Sequence, residues 1–455
     1  MLEVQHEKEQ KQEQKQIGQQ VFLSTAEILR DYSLAVQSRE ASIVGRREVL
    51  SGKAKFGIFG DGKEVPQLAM AKAFRKGDWR AGYYRDQTFM FAIGAMTIQQ
   101  FFAQLYAHAD VNADPHSAGR QMNAHFATRS LNPDGSWKDL TQMYNSAPDL
   151  SPTGSQMPKL VGLGYASRLY RELEELKQFA QFSRNGNEVA FGTIGNASCA
   201  EGMFWEAVNA IGVIKAPVVI SIWDDGYGIS VPNKYQITKQ NLSELLKGFQ
   251  REPGSDEGFD IYTVHAWDYP ALVETYLRAA ETARKEHVPS IIHVIDVTQP
   301  QGHSTSGSHE RYKSPERLAW EEEYDCIRKM REWIIEQRIA TPGELDQIER
   351  NAKKLVENFR VKAWKAFTLP LHKERQQVMD LLTELRASSA HADELLEIQR
   401  ALQARQVPLR RDIMSAVHQA LVAVRDEQSP AKTKLIQWKQ EQDALNRDRY
   451  SSHLY

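Results

Sequence analysis

Two short segments end apolar runs on residues able to hold a cation. Gly195-Asn196-Ala197 closes the run EVAFGTI, and Asp224-Asp225-Gly226-Tyr227 closes PVVISIW. Asn196 offers an amide oxygen and Asp225 a carboxylate. A magnesium ion takes six oxygens in a near-octahedral array and is usually held by one or two protein side chains plus substrate phosphates. Twenty-nine positions separate the two residues, enough for a turn, one crossover helix and the next strand, so the spacing sets two strand ends side by side. Gly195, Ala197, Gly226 and Gly228 are small enough for the backbone to approach a diphosphate closely, and the N-terminus of the helix at 200–214 adds oriented N–H groups. Taken singly, an Asn or Asp at a strand end is more often a turn former or a helix cap. The joint spacing is what favours a shared ion.

The elements that must position these residues are legible as short β-rich runs at 188–194, 217–223, 260–265 and 290–297, alternating with helical segments. Met203, Ala207, Ala210 and Ile214 form one apolar face at helical spacing. In the segment after 267, Asp268 is a cap, Pro270 sits in the first turn, and Val273, Leu277 and Ala280 make a buried stripe. Strands alternating with helices predict an α/β fold, a doubly wound parallel sheet with helices on both faces. Ligands of such sheets sit off the carboxyl ends of the strands, where both candidate segments lie. Four glycines between Gly52 and Gly62 predict a loop. The sequence divides into a polar Glu/Gln/Lys tail at 1–20, expected to be disordered, a globular part at 21–330 and a helical extension or linker toward a further half at 331–455, where Thr341 and Glu344 form a capping box.

Bulk composition narrows the function classes. Lys plus Arg number 57 against 59 Asp plus Glu, so no overall field points to nucleic acid or an anionic membrane. Only Cys199 and Cys326 occur, too few for a disulfide framework or a zinc site, which fits a reducing cytoplasm. No stretch is apolar enough for a signal-peptide core or a membrane span.

With those residues in view, GNASCAEGMFWEAVNA through WDDGYGIS resembles the thiamine-diphosphate signature of the alpha chain of the 2-oxo acid dehydrogenase decarboxylase component, in its branched-chain type. That family reads GDG or GEG, a helix, then NNGYAIS; its acid falls at Asn196 and its amide at Asp225, so the two are exchanged here while one carboxylate and one amide remain. The resemblance implies Asn196, Asp225 and the carbonyl of Tyr227 as magnesium ligands, with Gly195 and Ala197 beside the cofactor. GDGKE at 60–64 is similar to the family's GQE segment, and GYYRDQ to its YR segment, which makes Tyr84 and Arg85 diphosphate contacts; the family's His after that Arg is Gln87. SPTGSQMPKLVG at 151–162 resembles a family loop near the thiamine pyrimidine and a potassium site, implying Ser151 and Thr153 as cofactor-binding, with Ser155 and Gln156 as further matches. GRQMNAHF at 119–126 looks like a branched-chain stretch.

PQGHSTSGSHERYKSPE at 300–316 is similar to the family loop whose His handles acyl transfer, matched by His303; the Asp after the serine run is Gly307. A His among Ser and Gly residues is expected to ionise near neutrality, with His309 a solvent-exposed loop residue. The matches are collinear from about residue 26 to 330. They imply thiamine diphosphate, Mg2+ and K+ as cofactors, decarboxylation of a 2-oxo acid with transfer to a lipoyl carrier, a beta chain or fused beta half, a lipoyl-bearing acyltransferase partner, and a homodimer or alpha2beta2-type assembly. A noncatalytic scaffold subunit, or a transketolase-like or acetoin-cleaving enzyme, are the alternatives.

Overall fold

A computed structural model of the chain describes residues 23–451; the polar tail at 1–20 lies outside them. The helices are α1 (Thr25–Leu50), α2 (Glu64–Ala73), α3 (Gln87–Ala92), α4 (Ile98–Leu105), α5 (Gln156–Glu172), α6 (Gly202–Val213), α7 (Leu242–Leu246), α8 (Tyr269–Glu286), α9 (Pro315–Glu323), α10 (Cys326–Glu336), α11 (Pro342–Ala387), α12 (Ala392–Gln403), α13 (Arg410–Ala423) and α14 (Pro430–Arg449). The strands are β1 (Trp79–Ala81), β2 (Asn145–Ser146), β3 (Ala190–Gly195), β4 (Val218–Trp223), β5 (Tyr227–Gly228), β6 (Val231–Pro232), β7 (Asp260–His265) and β8 (Ser290–Ile295).

Six strands form one parallel sheet in the order β2-β1-β3-β4-β8-β7, and β5 pairs antiparallel with β6 as a separate hairpin. The predicted strand runs fall on β3, β4, β7 and β8. Alternation along a strand sends neighbours to opposite faces, and the two cores obey it. Val218, Ile220 and Ile222 join one core with residues of α5, α6 and α7, while Val219 and Trp223 join the other with α1, α2 and α8. The sheet is thus covered on both faces, as a parallel sheet requires. At its centre β3 and β4 pair from Ala190↔Val218 to Gly195↔Trp223, so the chain leaves both strands at the same level, at Asn196 and Asp224.

Local signals set the helix starts. Asp268 caps α8 by accepting from the Ala271 N–H, with Pro270 in the first turn, and Thr341 with Glu344 closes the capping box of α11. The predicted faces are each rotated. In α6 the buried side chains are Phe204, Ala207, Val208 and Ile211, and Met203, Ala210 and Ile214 are only partly covered. In α8 Val273 and Ala280 are buried as expected, but Tyr276 rather than Leu277 lies at the centre of the stripe. Both helices carry apolar residues over about half their circumference or more, so spacing alone leaves the core-facing direction open, and the opposing layer decides it.

The core around the sheet takes in Met330 and Ile334 of α10 and Leu345 to Ala363 of α11. A separate core begins at Val378 and collects α12, α13 and α14. Cys199 and Cys326 are both free and buried. No helix among the described residues is long and apolar enough to cross a membrane.

Candidate functional site

A cavity of about 290 Å³ opens at the carboxyl ends of β3 and β4. Its lining includes Tyr84, Arg85, Thr153, Gly195, Asn196, Ala197, Asp225, Tyr227 and His303, so nine of the residues singled out in the sequence converge there. Ser151 does not line it; its hydroxyl pairs with His125 Nε2 at 3.1 Å. That His stacks on Tyr84, with ring centroids 6.5 Å apart, so Ser151 supports the wall from behind.

The strand ends aim the two candidate ligands. Asn196 N–H donates to the Trp223 carbonyl at 3.2 Å, which ties the turn after β3 to the end of β4. The Asn196 side chain is buried and donates through Nδ2 to Asn233 Oδ1 at 2.6 Å, which leaves its amide oxygen for another partner. Asn233 in turn donates to Asp224 Oδ1 at 3.1 Å, and Asp224 Oδ2 lies 2.9 Å from His293 Nε2. Burial pushes the Asp224 carboxyl up, but the hydrogen bonds from His293, Gly226 and Asn233 outweigh it and hold the group below the usual carboxylate range. Of the adjacent acids, Asp224 is therefore consumed inside the protein and Asp225 faces the cavity. Arg317 of α9 holds the Asp225 carbonyl at 2.8 Å. Tyr227 stands opposite Pro232 in the hairpin, and a proline has no N–H to occupy the Tyr227 carbonyl.

The upstream wall is built on a buried ion cluster. Arg80, fully buried in β1, bonds Asp86 Oδ2 at 2.6 Å and Asp149 Oδ1 at 3.0 Å. Asp86 Oδ2 also accepts from Thr193 of β3 at 2.6 Å and from the Tyr83 N–H at 3.3 Å. The Tyr83-Tyr84-Arg85 turn is thereby fixed over the sheet. Gln87 points away from the cavity: it donates to Ser42 Oγ at 2.9 Å and accepts from the Gly60 N–H at 3.2 Å, pinning the glycine loop to α1. That loop passes close to the segment after β8. At Gly62, φ is +82° and an added Cβ would lie 1.8 Å from the Thr298 carbonyl, so only glycine fits.

One expectation from the sequence changes, and Arg85, on the cavity, has internal partners as well: Nη1 donates to the Phe59 carbonyl at 2.6 Å and Nη2 to both His303 Nδ1 and the His303 carbonyl at 3.0 Å, which leaves Nε–H and one Nη1–H unspent. His303 does not titrate near neutrality; burial, with Arg85 and Lys63 nearby, brings its imidazole down to about 3. Because Arg85 only donates, His303 Nδ1 accepts, and the ring proton sits on Nε2. The His303 loop is further held by Arg46, which bonds the carbonyls of Ser304 and Gly307 at 2.8 and 3.2 Å. His309 is partly enclosed, with 14% of its side chain exposed, because it packs on Gly302.

Sequence reasoning missed Lys63, Tyr83, Asn233, Gln236 and Gln299. Lys63 was visible as the fourth residue of GDGKE, but nothing local shows that a lysine after a glycine turn points inward. The GRQMNAHF stretch lines a different cavity of about 530 Å³, with Pro148, Asp149 and Ser451.

The donor set suits a magnesium diphosphate: a carboxylate, an amide oxygen and a backbone carbonyl for the hard cation, and cationic groups beside them for phosphate. Comparison with known proteins bears on the family. Residues 33–370 match the model of the dehydrogenase E1 component. The chain is 28% identical over 301 residues to the 2-oxoisovalerate dehydrogenase subunit alpha of Bacillus subtilis (strain 168), a stretch covering 66% of this chain and 78% of that one. It is 24% identical to the mitochondrial 2-oxoisovalerate dehydrogenase subunit alpha 1 of Arabidopsis thaliana, over 67% of this chain and 56% of that one. It is also 24% identical to the mitochondrial pyruvate dehydrogenase E1 component subunit alpha of Solanum tuberosum, over 67% and 66%. With a family match spanning most of the sheet, its flanking helices and the whole of the cavity, the chain belongs to the dehydrogenase E1 component family.

Proposed function

We propose that the chain is the alpha part of a 2-oxo acid dehydrogenase decarboxylase component, which decarboxylates a 2-oxo acid with thiamine diphosphate and passes the acyl group to a lipoyl carrier. The observation that carries this reading is the convergence of Asn196, Asp225 and Tyr227 on one cavity at two adjacent strand ends. When bound, thiamine diphosphate supplies the carbanion chemistry and electron sink that the side chains lack. The chain's own residues bind and orient. Asn196 Oδ1, the Asp225 carboxylate and the Tyr227 carbonyl hold Mg2+. Tyr84, Gly195 and Ala197 shape the diphosphate pocket, and Thr153, at the rim, faces the remainder of the cofactor. His303 donates from Nε2 to an anionic oxygen, held in that tautomer by Arg85. A potassium ion near Ser151 and Thr153, a beta chain or fused beta half completing the site, a lipoyl-bearing acyltransferase, an alpha2beta2-type assembly and a cytoplasmic setting complete the proposal. Branched-chain 2-oxo acids are the favoured substrates, on the GRQMNAHF stretch.

The test is release of carbon dioxide from 2-oxoisovalerate and from pyruvate by the chain assembled with a candidate beta chain. Asp225→Ala should abolish release while assembly persists. Release at the wild-type rate would favour a noncatalytic scaffold.

A further inference from the structure

Lys63 is 2% exposed, yet its ammonium has no hydrogen-bond partner. It follows the Gly60-Asp61-Gly62 turn and lines the cavity with Arg85, Asp225 and His303. A buried charge without hydrogen bonds is costly, and proteins rarely keep one except where a ligand completes it. The two carboxylates closest along the chain do not serve it: Asp61 Oδ2 accepts from the Gln301 N–H at 2.9 Å, and Glu64 is held by Arg39 at 2.7 Å. Trp223, another residue of the lining, carries a second buried donor without a partner at Nε1. Two unspent donors on residues of one lining call for an acceptor-rich guest. Arg85 spends three of its five N–H donors on Phe59 and His303, which leaves Nε–H and one Nη1–H for a guest.

On these grounds, and resting on the function proposed above, we infer that Lys63 is a further cation that grips the diphosphate of the cofactor beside Arg85, with Trp223 Nε1 as its companion donor, while Arg85 also positions His303. A diphosphate supplies the several acceptor oxygens that both donors lack, and the Mg2+ held by Asp225 and Asn196 shares them.

The inference is tested on the full chain by thermal melting and by calorimetric titration with thiamine diphosphate and Mg2+, and with magnesium pyrophosphate. Lys63→Met removes an unpartnered buried charge, so the ligand-free variant should melt at or above the wild-type temperature. Its affinity for both probes should fall roughly 10–100-fold, the worth of a charge-assisted hydrogen bond. Lys63→Arg should recover part of that loss, and Trp223 fluorescence should respond to binding in the wild type. Unchanged affinity in a folded Lys63→Met chain, with Asp225→Ala losing binding, would overturn the role of Lys63 and leave the proposed function standing. A wild-type chain that binds neither probe even when assembled with a candidate beta chain would overturn both. If Lys63→Met melts well below wild type, Lys63 serves the fold and the inference fails.

Discussion

At the scale of single residues, the site is a set of side chains made single-purpose by their neighbours. Asp224 and Asp225 are adjacent and chemically identical, but His293 and Asn233 draw Asp224 inward and leave Asp225 to the cavity. Asn233 also fixes which end of the Asn196 amide is spent. His303 carries a prediction of its own. Its folded-state pKa lies far below the ordinary value of an unfolded histidine, mainly through burial, so the unfolded chain binds the extra proton first. The stability it contributes is present above about pH 6.5 and is lost as pH falls toward the folded value. Melting temperature should therefore drop more steeply between pH 7 and 5 for the wild type than for His303→Gln. Parallel curves would show that His303 takes up its proton at the same pH in the folded and the unfolded chain. This scale was only half legible in the sequence. Residue types at strand ends announced oxygen ligands, whereas the spent donors of Arg85 and the unspent one of Lys63 depend on contacts to Phe59 and the 298–303 segment, far away in the chain.

At the scale of elements, precision comes from close backbone approaches. The turn at Gly60 and Gly62 touches both the Arg85 turn and the segment after β8; an added Cβ at Gly60 would lie 2.1 Å from the Arg85 carbonyl. Gly62→Ala combines a left-handed φ with that kind of clash, and should destabilise the chain by roughly 2–4 kcal/mol, in the upper range for single substitutions. A denaturant midpoint unchanged from wild type would show that the loop can relax. Strand positions, the cap at Asp268 and the capping box at Thr341 were legible because each is written in local chemistry. The faces of α6 and α8 were less so, since α6 is apolar nearly all round and α8 over about half its circumference, and the opposing layer chooses the buried side.

At the scale of the whole molecule, two hydrophobic cores share one long helix. The first half of α11 packs with α1 and α10 in the sheet's own core, and its second half seeds the core of α12–α14. Pro370 sits between the two halves without ending the helix. Contacts return from the far end: Arg120, in the stretch that resembles a branched-chain motif, bonds the carbonyls of Ser451 and Asp448 at 2.6 and 3.1 Å. The helical character of the region was plain from its composition, but its partition into two cores was not, because the apolar repeat runs through both without a break. The family match ends at 370, beside the point where the second core begins. This arrangement keeps the cavity within the matched part, so the cation site is the feature on which the functional account stands.

The most direct measurement is electron paramagnetic resonance of Mn2+, substituted for Mg2+, titrated into the full chain assembled with a candidate beta chain, with and without thiamine diphosphate. The account predicts one Mn2+ held per chain when thiamine diphosphate is present, and loss of that bound ion in both Asn196→Ala and Asp225→Ala. Bound Mn2+ that survives both substitutions, or no cofactor-dependent binding at all, would contradict it.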